Sequence, residues 1–71
     1  MDRNVGQALD DLRIELAAYV AFCRRYKTPI SFSKALLGHR EMIRECYQID
    51  PDTFRTRLEL LDRLCVEEGV A

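Results

Sequence analysis

Few residues of this 71-residue chain carry reactive side chains: one histidine, His39, and three cysteines, Cys23, Cys46 and Cys65. A metal site would need such ligands to converge. On one helix the seven-position separation of His39 and Cys46 amounts to a rise of about 10.5 Å, whereas zinc ligands sit near 2 Å from the ion. The cysteines lie about twenty residues apart with no Cys-x-x-Cys pair, so no ligand spacing is present and neither metal nor cofactor is expected. Nucleophilic catalysis would require a base, an orienting group and a cavity around an activated Cys or Ser. The three thiols fall on apolar helical stripes, where burial suppresses reactivity. Adjacent acids such as Asp10-Asp11 and Glu67-Glu68 splay around a helix instead of converging. Gly6, Gly38 and Gly69 are isolated, so no phosphate-cradling loop exists. The residues therefore point away from an enzyme. His39 falls within an apolar arc with Ala35, Met42 and Cys46, and is read as a half-buried imidazole hydrogen-bonded to a neighbouring helix rather than as a pH switch.

Composition sets the frame around these residues. Apolar residues make up 48% and charged residues 32% of the chain, which is the balance of one small folded domain spanning 1–71, not of a disordered tail. A formal charge of −1 provides no global field toward nucleic acid or an anionic membrane. The first residues lead into a run broken by Asp10, Asp11 and Arg13, unlike a secretory signal, and no stretch reaches the roughly 18 apolar residues of a membrane span. With an odd cysteine count as well, a reducing cytoplasm is the expected compartment.

Three helices must carry this chemistry-poor surface. Val5, Leu9, Leu12, Leu16, Tyr19, Cys23 and Tyr26 alternate in steps of four and three, predicting a helix over about 5–26 with Asn4 as its cap. Arg24, Arg25 and Lys27 complement the negative end of its dipole, and Thr28-Pro29 stops it. A second helix is predicted over 33–48, capped by Ser33 with Phe32 and Leu37 as a staple, and running unbroken through Gly38. Asp50-Pro51 starts a third, over 51–67, which buries Phe54, Leu58, Leu61 and Cys65. Glu67 and Glu68 oppose the dipole at its end, so the last turn is expected to fray and Val70-Ala71 to be mobile. No segment alternates with period two, so the fold class is all-α, a small three-helix bundle.

The first helix carries more apolar surface than two neighbours of its kind can hide. Ile14, Ala18 and Ala21, with Ala17 beside them, form a second strip opposite the seam. Chains this short bury only about 60% of their unfolded surface and commonly need a second subunit, so a homodimer along the first helix is expected. Tyr19, Tyr26 and Leu37 extend the set of residues available to a larger cellular protein. The reading is a non-catalytic regulatory or adaptor protein acting through helical faces. A dimeric DNA-binding regulator is the alternative, with Arg24, Arg25, Lys27, Arg40 and Arg44 as its contacts and Gly38 as a helix-turn-helix turn. It fits less well, because that turn places Arg44 or Glu45 where the motif is buried, and Glu41 and Glu45 would repel phosphates. No motif is specific enough to name a family.

Overall fold

The computed structural model describes residues 2–70 and folds as three packed helices: α1 (Asp2–Tyr26), α2 (Phe32–Ile49) and α3 (Pro51–Glu67). No strand occurs among the described residues. Asp50 alone separates α2 from α3 and caps both: its backbone N–H donates to the Cys46 carbonyl at 2.9 Å, and its carboxylate accepts from the Thr53 N–H at 3.3 Å and the Thr53 hydroxyl at 2.6 Å. Pro51 follows in the first turn, where its missing N–H leaves nothing unpaired. The joint folds α3 back along α2, so that Arg55 meets Tyr47 close to the junction and Asp62 meets Arg40 farther from it.

Against this hairpin α1 lies crosswise. Glu15 reaches Arg57 while Arg13, only two residues away, reaches Glu67 and Glu68. Those α3 positions are about 15 Å apart along the helix, so α1 crosses α3 instead of running beside it. The seam expected from the sequence packs in its first half, while Tyr19 and Tyr26 farther along it are exposed: Leu9, Leu12 and Leu16 join Ala35, Leu36 and Ile43 of α2 and Leu61, Leu64 and Cys65 of α3 in one core. Burying a leucine of this kind contributes about 1.5–3 kcal/mol. A helix of 25 residues, about 37 Å long, laid across two of about 26 Å cannot be covered along its whole circumference. The Cα radius of gyration is accordingly 12.5 Å, against about 11 Å for a typical domain of this length.

Helix boundaries depart from the sequence reading in three places. No Pro or Gly precedes Asn4 to stop α1, and the helix runs through it to Asp2, so Asn4 is not the cap. The cap of α2 is Ser31, not Ser33: its hydroxyl accepts from the Lys34 N–H at 3.1 Å. Starting earlier draws Phe32 into the helix and puts Ile30 and Ala35 in the staple positions, and all three pack at the core. The end of α3, expected to fray, is closed by hydrogen bonds within the described residues. Gly69, at φ 74°, adopts the left-handed conformation that lets its N–H reach the Val66 carbonyl at 3.1 Å and the Val70 N–H reach the Cys65 carbonyl at 3.0 Å. This Schellman closure returns Val70 to the core. Arg13 of α1 also pairs with both Glu67 and Glu68. Ala71, expected to be mobile, lies outside the described residues.

Candidate docking surface

Between Ile14 and Cys23 the only charged residue of α1 is Glu15. Leu16 and Cys23 point into the molecule and are buried, and Val20 is half-buried. The remainder of this apolar run faces solvent. Ile14 is 67% exposed and Phe22 48%, with Ala17, Ala18 and Ala21 open between them. Tyr19 and Tyr26 are exposed as well. The Phe22 and Tyr26 rings lie 5.1 Å apart, tilted by 41°, and the Arg25 guanidinium sits 5.6 Å from the Tyr26 ring centroid. A helix that is apolar all round belongs in an interior, so one whose outer half is bare presents a surface to be covered.

The same surface continues into a groove of about 660 Å³ between α1 and α2. Leu16, Tyr19, Ile30, Ala35 and Met42 supply its apolar lining, and Gly38 leaves part of the wall without a side chain. Its polar residues are Glu15, Lys34 and His39. Volumes of this order accept a small ligand or a few side chains of a partner.

One polar chain links the three helices at this groove. Arg57 Nη1 of α3 lies 3.5 Å from Glu15 Oε1 of α1 and 3.4 Å from His39 Nε2 of α2. A guanidinium only donates, so His39 must accept at Nε2 and carry its proton on Nδ1. Burial holds the His39 pKa below 6.5, Arg57 depresses it further, and Glu15 opposes the shift. His39 is thus a neutral acceptor that ties α2 to α3, which matches the half-buried, hydrogen-bonded histidine expected from the sequence.

The residues named from the sequence are distributed unevenly. Ile14, Ala18, Ala21, Tyr19 and Tyr26 are brought together on one exposed stretch of α1. Leu37 is not part of it; it is half-buried and packed against the core, because the hairpin turns that flank of α2 inward. Phe22 and Met42 belong to the surface and were not singled out. Phe22 lies four residues after Ala18 and eight after Ile14, the spacing of the outer strip. Met42, in the apolar arc of α2, is 51% exposed at the groove.

The basic residues do not gather as a helix-turn-helix would require. Gly38 lies inside a continuous α2, so no turn forms there. Arg40 approaches Asp62 at 3.9 Å and Arg44 pairs with Glu41 at 3.2 Å. Arg24, Arg25 and Lys27 remain exposed at the end of α1 and just beyond it.

The three cysteines are unpaired, and Cys23 and Cys65 are buried. Burial pushes the Cys65 thiol up, away from the reactive thiolate. Among the described residues no group of three or more His, Cys, Asp or Glu side chains converges on a point that could hold a metal ion, and no helix is long and apolar enough to cross a membrane. No protein-family model, curated protein or solved structure matches this chain.

Proposed function

We propose that this chain is a small, non-catalytic regulatory or adaptor protein that works by protein–protein interaction, forming a homodimer along α1 and receiving a larger cellular protein at the groove between α1 and α2. The exposed apolar half of α1 carries this reading. Its area supports the same conclusion. The chain exposes 5187 Å², against about 4600 Å² for a folded monomer of 8.3 kDa. Free thiols at core positions are compatible with work in the cytoplasm.

The groove has the composition of a protein-docking site: aromatic and thioether side chains that adapt to a partner, with Glu15 and Lys34 at its edge to fix orientation. Affinity capture from the source cell with the wild-type chain and with the Tyr19→Ala/Met42→Ala variant tests this function. A partner retained by the wild type and lost by the variant, with helicity unchanged by circular dichroism, supports the reading. Capture of the same proteins by both would contradict it. A gel shift that appears at low salt and vanishes steeply as salt is raised would favour the DNA-binding alternative through Arg24, Arg25 and Lys27.

A further inference from the structure

The outward strip of α1 has an internal symmetry. Asp11, Ile14, Ala18, Phe22 and Arg25 are all exposed and follow one another in steps of three, four, four and three, so the strip has the same spacing in both directions from Ala18. At about 100° per residue the five lie within an arc of about 80°. The two ends differ only in sign, with an acid at one and a base at the other, equidistant from the small residue at the centre.

We infer that the homodimer is antiparallel, with its two-fold axis passing beside Ala18 and Asp11 of each copy paired with Arg25 of the other. The inference rests on the dimer reading above and adds its orientation and register. In that arrangement residues equidistant from Ala18 in opposite directions stand at the same level. Ile14 is level with Phe22 of the partner subunit, and Asp11 with Arg25 of the partner subunit. Ala17, Ala18 and Ala21 leave the helix axes free to approach to about 8 Å, the close end of ordinary helix packing. A parallel dimer in register would set Asp11 against Asp11 and Arg25 against Arg25.

Two observations favour a second copy of this chain as the occupant. The first is charge complementarity. Neither Asp11 nor Arg25 has an ionic partner among the described residues; Asp11 accepts one hydrogen bond from Gln7 Nε2 at 3.1 Å, and Arg25 lies over Tyr26. A strip with opposite charges at equal distances from its centre is complementary to itself when reversed. The second is area. The chain exposes about 600 Å² more than a typical folded monomer of its mass, and hiding that excess on both copies would remove about 1200 Å², the lower edge of specific, stable interfaces. The dimer is therefore expected to dissociate within an accessible concentration range.

Sedimentation of the full chain at low salt tests this arrangement with two variants and their mixture. Asp11→Arg alone and Arg25→Asp alone each turn two attractions into two repulsions, so each should raise the midpoint concentration for dimerisation about tenfold. An equimolar mixture should restore wild-type association as a heterodimer, because both pairs across the axis again have opposite signs. High salt should shrink all of these differences. Circular dichroism of each variant confirms the fold, since both positions are exposed. A wild-type dimer unaffected by either reversal, or a mixture no tighter than its components, would overturn the antiparallel register while leaving the dimer reading intact. A wild-type chain that remains a monomer at every concentration would overturn both.

Discussion

Arg13 Nη2 lies 2.8 Å from Glu67 Oε1, joining the middle of α1 to the last turn of α3 across 54 positions of sequence. The same guanidinium donates from Nε to Glu68 Oε2 at 3.1 Å. Its hydrogen bonds to Glu68 and Glu67 raise the Arg13 pKa, and the bond from Arg13 holds the Glu67 carboxyl below its usual 4.5. A lowered carboxylate pKa in the folded state gives stability that is present above pH 4.5 and is lost as pH falls through the folded value. Arg13→Ala should therefore flatten the acid limb of a thermal-stability profile and speed amide exchange in the last turn of α3. An unchanged acid limb would mean the pair is too exposed to contribute.

His39 governs a different pH window. Its folded pKa lies below 6.5 through burial and the proximity of Arg57, so the unfolded chain takes up a proton first on acidification. The stability held by the neutral imidazole is complete above pH 6.5 and declines below it, until the folded histidine also titrates. Melting temperatures from pH 8 to pH 5 should fall more for the wild type than for His39→Gln, which cannot charge; equal slopes would contradict a depressed His39 pKa in the folded chain.

Gly38→Ala should stabilise the chain. The residue lies mid-helix without a positive φ, and a methyl group there would meet nothing within 4 Å beyond the local backbone of its own helix. Removing the backbone entropy of glycine is worth about 0.5–1 kcal/mol, readable in a denaturant titration. A destabilised variant would show that α2 needs a break at this point.

Leu61→Ala and Ile14→Ser separate the core from the docking surface. Leu61 is completely buried, and its truncation should cost about 2–5 kcal/mol, much of the stability of a chain this size. Ile14 is 67% exposed, so its replacement should change the stability of the separated monomer by less than about 0.5 kcal/mol while weakening association. A comparable loss of monomer stability from both would mean that Ile14 packs within its own subunit.

Much of this architecture is legible in the residues, and apart from the Asn4 cap the failures have a common cause. Pro29 and Asp50-Pro51 act locally, through φ, a missing N–H and a side-chain cap, and the boundaries they imply match the helices closely. The seam from Leu9 to Leu16 is likewise a property of a single helix. Misplaced features depend on what another element brings. Ser31 rather than Ser33 caps α2, and the earlier start packs Ile30 and Phe32 against the core that the three helices share. Leu37, polar-flanked on its own helix, is turned against the core by the hairpin. Glu67 and Glu68 look unfavourable until Arg13 arrives from α1. For the docking surface, Ile14, Ala18 and Ala21 were readable as a surplus strip, whereas the groove at Met42 arises only where α1 crosses α2.

Sedimentation equilibrium of the unmodified chain, from micromolar to near-millimolar concentration, bears most directly on the claim that the bare half of α1 is an assembly surface. The weight-average mass should climb from 8.3 kDa toward twice that value as concentration rises. A mass fixed at 8.3 kDa throughout would contradict it.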